Sequence, residues 1–198
     1  MNKALTITIA AAALATSAHA TIISFYDLLG TGGPGLLNTN EPTSPVGGTG
    51  GEIGAGIFLD DANDADPNTN LLTLNVGWGS SQGFTDLSSL ANNSHIHGPT
   101  ASNNGSGFTQ TAGVLFTLTR SSNAVTGGTF TGAPVSLTAA QVVDLNNGKD
   151  YINVHTANNG GGELRGFIVA AAPEPGSAAL LGLGTLLFAA RRKRTAQA

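Results

Sequence analysis

The chain has 198 residues, of which 10% are charged, 28 are glycine and none is cysteine. Once segments at both ends are set aside, that length leaves about one domain of chain. Its glycine-rich, charge-poor composition favours short strands and turns over helices, and without cysteine there can be no disulfide, thiolate ligand or thiol nucleophile. Residues 21–172 carry three basic groups against eleven acidic ones, a net charge of −8, so a nucleic-acid partner is not expected.

The first segment, residues 1–20, has the layout of a secretory signal peptide: Lys3, an apolar helical stretch from Leu5 to Ala15, and the small-x-small site Ala18-His19-Ala20. A domain over residues 21–172 follows. Thr21 to Leu28 opens it as a strand, and Gly30 to Gly51 is too polar and too rich in breakers to be a core element. Ile53 to Leu59 and Leu71 to Trp78 are the next strands, the latter with Leu72, Leu74, Val76 and Trp78 on one face. Between them, Asp60 to Asn68 is acidic, but an EF-hand loop starting at Asp64 has Thr69 where glycine is needed and Asn75 where a bidentate glutamate belongs. A hairpin loop is expected there, with a weak calcium site as the alternative. Strands are also predicted over Gly113 to Thr119, Gly128 to Gly132, Tyr151 to Thr156 and Glu163 to Ala170. One short helix starts at Thr138, with Gln141 completing a capping box and Gly148 as the stop. Strands at this spacing imply an all-β sandwich or barrel.

Three of the four histidines lie in the domain, two of them in Ser94-His95-Ile96-His97-Gly98-Pro99 and the third in Asn153-Val154-His155. Strand residues two apart share a face, so His95 and His97 project together while Ile96 points to the core. The same parity buries Ile152 and Val154 and turns Tyr151, Asn153 and His155 outward. If the two strands are neighbours, His95, His97 and His155 can meet, and three neutral imidazoles suit copper or zinc. Otherwise each histidine bonds loop backbone. Glu163 and Arg165 share a strand face and are expected to form an exposed ion pair rather than an acid–base site. No Gly-x-Ser-x-Gly elbow is present, so no catalytic residue is assigned.

Residues 173–198 form a tail: Pro173-Glu174-Pro175, the uncharged run Gly176 to Ala190, then Arg191-Arg192-Lys193-Arg194. Fifteen residues of helix reach only ~22 Å, short of the ~30 Å hydrocarbon core, so this is a marginal transmembrane helix whose basic end stays in the cytoplasm. The tripartite tail resembles the PEP-CTERM sorting signal. That resemblance implies a Gram-negative bacterium making exopolysaccharide, transient residence in the inner membrane, and processing by an exosortase that passes the protein to the cell surface or extracellular matrix.

The domain itself resembles the CHRD family. The motifs that carry this are SHIHGP, Leu137-Thr138 with Gln141-Val142 and Leu145, Tyr151 to Thr156, Gly161 to Gly166, and Asn40-Glu41-Pro42 followed by Gly48 and Gly50. Asn159-Gly160 stands where a proline is usual and Leu164 where isoleucine is usual. The resemblance implies an immunoglobulin-like β-sandwich without established catalysis. A His-x-His strand followed by a Val-His strand is also similar to the copper-binding strands of Cu/Zn superoxide dismutases, although a fourth usable histidine and the disulfide cysteines are missing. The expected function is therefore an exported structural or binding module of the surface or exopolysaccharide matrix, not an enzyme. The alternative is a copper- or zinc-binding protein using His95, His97 and His155.

Overall fold

The computed structural model describes residues 22–61, 66, 69–101, 108–131 and 133–172. The signal peptide (1–20), the sorting tail (173–198) and residues 62–65, 67 and 68 of the acidic loop lie outside the described residues. Among the described residues no helix is long and apolar enough to cross a membrane; the expected signal and transmembrane helices both fall outside them.

The described residues form an all-β fold with one short α-helix. β1 (Ile22–Gly30) is shared between two neighbours. Its first half pairs with β4 (Thr49–Asp61), from Ile22 opposite Asp61 to Tyr26 opposite Ile57. Its second half pairs with β11 (Leu164–Ala170), from Tyr26 opposite Ala170 to Leu29 opposite Phe167. The short β2 (Gly33–Pro34) folds back on β1, and β3 (Leu36–Leu37) bridges the start of β4 to β11. Strands β4 and β11 are thus joined at one end by β1 and at the other by β3. From β4 the sheet continues through the hairpin to β5 (Asn70–Trp78), whose other edge takes β8 (Gly128–Thr129) and β9 (Val135–Ser136). From β11 it continues through β10 (Tyr151–Thr156) and β6 (Ala91–His97) to β7 (Val114–Thr117).

One apolar cluster lies between these two arms. β5 contributes Leu72, Leu74, Val76 and Trp78, and the opposite arm contributes Ile96, Ile152, Val154, Leu164 and Ile168, all buried. Alternation alone therefore assigned the right residues to the core in β5, β6 and β10. Gly30 to Gly51 departs from expectation: Leu36 is buried in the core, and Asn40 and Glu41 are also buried. Asn40 explains how so polar a segment packs. Its amide donates to the carbonyls of Gly35 and Arg165 at 3.1 and 3.0 Å, and its Oδ1 accepts from Gly32 N–H at 2.8 Å. With its polar atoms satisfied in this way, the loop can lie against the sheet at little desolvation cost. At the acidic loop, Thr69 donates through both N–H and hydroxyl to the Asp66 carbonyl, which is the turn chemistry expected of a hairpin between β4 and β5.

Helix α1 (Ala139–Asn146) carries the predicted capping box, with the Thr138 hydroxyl accepting from Gln141 N–H and the Gln141 side chain accepting from Thr138 N–H. It ends at Gly148, whose φ of 63° gives the left-handed turn and whose N–H reaches the Leu145 carbonyl. Val142 and Leu145 are buried, and Asn146 accepts from the Tyr26 hydroxyl at 2.5 Å, fastening the helix to β1. Just beyond the helix, Asp150 is buried. Burial, with Asp144 adding to it and Lys149 opposing, pushes its carboxyl up to about 7. A carboxyl raised in the folded state favours folding most at acid pH, and that contribution is lost as pH rises from about 4 to about 7. Asp150→Asn is expected to gain stability over the wild type at pH 7.5, on the order of 4 kcal/mol at most, and to lose that advantage at pH 4. Urea denaturation at the two pH values measures the difference.

Candidate metal centre

Strands β6 and β10 are antiparallel neighbours, with His95 opposite Asn153 and His97 opposite Tyr151. His155 lies one pleat further along β10, opposite Asn93, so it is diagonal to His95 on the same face. A register shift follows between His155 and Thr156, and such bulges re-aim side chains at strand ends. With β6 and β10 as neighbours, the condition on which their meeting depends, His95, His97 and His155 share one place on the sheet: one ring nitrogen from each lies within 4.8 Å of the others. The ring centroids of His95 are 5.3 Å from His97 and 5.0 Å from His155, and His97 and His155 are 6.0 Å apart.

Hydrogen bonds decide which nitrogens face inward. His97 Nδ1 is 3.0 Å from the Ala112 carbonyl and His155 Nδ1 is 2.9 Å from the Gly160 carbonyl. A carbonyl oxygen only accepts, so both Nδ1 atoms carry the proton and both Nε2 atoms present a lone pair. His155 Nε2 lies 3.1 Å from His95 Nδ1. His97 Nε2 is buried with no hydrogen-bond partner among the described residues. A buried, unpartnered acceptor costs free energy, and backbone carbonyls on the outer nitrogens are the usual means of orienting metal-ligating histidines. Bonds of 2.0–2.1 Å at tetrahedral angles hold the nitrogens on one ion ~3.4 Å apart, so a pair near the 4.8 Å bound has to close by more than ~1 Å when an ion is taken up.

All three imidazoles titrate below the usual histidine range. Burial is the first cause for each. His155, His97 and Arg120 add to it at His95, while at His97 and His155 the bonds to Ala112 and Gly160 work against it and nearby positive groups, Arg165 included, reinforce it. At neutral pH the three rings are therefore neutral, as metal ligation requires.

The face carrying the histidines is not open along its whole length. Tyr151, Asn153 and Arg165 point away from the core, as predicted, yet are each 2% exposed. They are covered by two segments without sequence periodicity, one around Glu41 and one over residues 108–112. His97 stacks on Tyr151 with centroids 5.0 Å apart and planes 3° from parallel. The Arg165 guanidinium lies 4.1 Å from the centre of the Tyr151 ring, forms an ion pair with Glu41 at 3.3 Å and donates to the Gln110 carbonyl at 2.9 Å. Asn153 donates to the other Glu41 oxygen at 2.6 Å.

This arrangement corrects the expected Glu163–Arg165 pair. Arg165 is paired with Glu41, whereas Glu163 accepts from the N–H groups of Gly48 and Ser88, the hydroxyls of Ser88 and Thr156, and the Asn159 amide. Burial alone would raise the Glu163 carboxyl, but these donors outweigh it and hold it below its usual range. Neither side chain is exposed. Glu41, Tyr151 and the Ala112 and Gly160 carbonyls were not foreseen as parts of the site. The available signal was Arg165 itself, one of three basic residues in the domain, which parity placed beside residues that turn out to be covered. The sorting residues Pro173, Glu174, Pro175, Arg191, Arg192, Lys193 and Arg194 lie outside the described residues.

The family model of the CHRD domain matches residues 36–168, and that of the PEP-CTERM protein-sorting motif matches residues 171–194. No curated protein and no solved structure matches the chain. The sorting motif indicates export to the envelope or surface of a Gram-negative bacterium, with processing by an exosortase. Glu41→Gln tests the layer beneath the histidines. It strands the buried Arg165 charge and is expected to cost ~3–5 kcal/mol in chemical denaturation, whereas an exposed pair would change stability by less than ~1 kcal/mol.

Proposed function

Because the chain belongs to the CHRD domain family and carries a PEP-CTERM sorting motif, we propose that it is a surface module that binds copper or zinc through His95, His97 and His155, without catalysis of its own. The observation that carries this reading is the buried lone pair of His97 Nε2, left without a partner among the described residues beside two further neutral imidazoles. Nitrogen-only ligation by three histidines suits both metals.

The same proposal includes a finer picture of the protein's shape and location. Two arms bridged by β1 and β3 around one core support a sandwich of immunoglobulin-like character. The tail, with its short apolar run and basic end, supports transient insertion in the inner membrane and delivery to the exopolysaccharide matrix.

Adding copper or zinc to the purified full-length protein is expected to raise Tm. The gain is about 2.7 kcal/mol at a metal concentration one hundred times Kd, which is several degrees for a domain of this size. His97→Ala, His95→Ala or His155→Ala should each abolish the shift, and a wild-type protein whose Tm ignores both metals would refute the reading. For the tail, replacing Arg191, Arg192, Lys193 and Arg194 with glutamine is expected to reduce surface delivery, scored by cell fractionation, because the topological charge bias is lost.

A further inference from the structure

We propose that a metal held by His95, His97 and His155 keeps its fourth position for a small exogenous anion, which enters through the pocket lined by Asn92, Asn93 and Gly160. This rests on the metal reading above and names what completes the coordination shell.

The geometry leaves one direction open. The protein supplies three nitrogens, and both copper and zinc commonly take a fourth ligand at such sites. His97 is stacked against Tyr151, with Arg165 packed on that ring in turn, so the approach beneath His97 is filled. The outer nitrogens of His97 and His155 are occupied by the Ala112 and Gly160 carbonyls. What remains is an open pocket of about 380 Å³ over His95 and His155, walled by Asn92, Asn93 and Gly160. A water molecule needs roughly 30 Å³, so polyatomic ligands also fit.

The chemistry of the walls selects the sign of the ligand. Among the described residues no carboxylate lines this pocket. Asn93 Oδ1 is taken by Ser94 N–H at 2.9 Å, which leaves the Asn93 amide as a donor at the pocket wall. The Asn92 carbonyl is likewise taken, by Arg120 Nη2 at 3.1 Å. Arg120 acts electrostatically on His95 and His155, and Arg165 on His97 and His155. Glu41, the carboxylate on the Arg165 side, is engaged by Arg165 and Asn153. With Arg165 offset by Glu41, a divalent ion held only by neutral imidazoles keeps its full charge, and a monoanion bound to it offsets that charge where the local dielectric is low. Hydroxide and short carboxylates belong to this class, and azide is a convenient probe of it.

The experiment loads full-length protein with one equivalent of Cu(II) and titrates sodium azide. The expected result is a saturable azide-to-copper charge-transfer band together with a change in the copper EPR spectrum. Asn93→Ala should take up copper with the same stoichiometry but bind azide about ten- to a hundredfold more weakly, the loss of one hydrogen bond to a charged ligand. Copper uptake with no azide response overturns this proposal alone, and an azide affinity indifferent to Asn93→Ala overturns the entry route. Failure to take up copper, and zinc in a parallel loading, overturns the metal reading and this proposal with it, and zinc uptake without copper overturns this proposal for copper.

Discussion

The ion pair between Arg165 and Glu41 is the contact on which the histidine face depends. Arg165 projects from β11 on the side away from the apolar core, where a charged residue would ordinarily meet water. Instead it is 2% exposed, and its guanidinium is distributed among Glu41, the Gln110 carbonyl and the Tyr151 ring. Burying a charge is costly unless partners of this kind surround it. Each partner belongs to a different part of the chain, so satisfying one guanidinium ties the Glu41 loop and the 108–112 segment to β10. Burial pulls the Glu41 carboxyl upward while Arg165 and Asn153 pull it back, which shows how closely desolvation and pairing are balanced here.

From that anchor the order of the site follows in layers. Arg165 supports Tyr151, Tyr151 supports the His97 ring, and the Ala112 carbonyl, on the segment that also bonds the Tyr151 hydroxyl, fixes the His97 tautomer. Glu163 performs a similar office on the other flank. Its two oxygens gather the loops at Gly48, Ser88 and Asn159, and Asn159 adjoins Gly160, whose carbonyl orients His155. Both buried carboxylates thus position loops, and neither is placed at the histidine cluster as a ligand. Their balances differ, however: at Glu41 burial outweighs the cation and holds the carboxyl above its usual range, whereas at Glu163 the surrounding donors outweigh burial and hold it below.

Parity was the legible part of this molecule. In Asn70 to Trp78, in Ser94 to His97 and in Tyr151 to His155, alternation named the core residues, and the shared face of the three histidines followed from it. The capping box at Thr138 was equally visible, since its partners lie three residues apart. What parity leaves out is any second layer. It distinguishes toward the core from away from it, and it equates away with water, which failed for Tyr151, Asn153 and Arg165. The covering segments have no period to detect, and the two-residue strands β2, β3, β8 and β9 are too short to show one. Glu163 and Arg165 were paired because they are near in sequence; their real partners lie far away along the chain, where local spacing carries no information. That β6 and β10 are neighbours in a given register is also a long-range fact, so the approach of the three rings was conditional until the pairing was known.

The division of β1 between β4 and β11 has a kinetic consequence. The first strand of the domain is completed by the last, and the β3 bridge likewise waits for Arg165 on β11. Pairing that joins the ends of a chain pays its loop-closure entropy before any contact repays it, which makes such topologies slow to fold. While β11 is still missing, β1 can pair with β4 but half of its ladder is unfilled, and the layer that holds Tyr151 and His97 lacks its central cation. β11 is thus the strand on whose arrival both the ladder of β1 and the cation beneath Tyr151 depend.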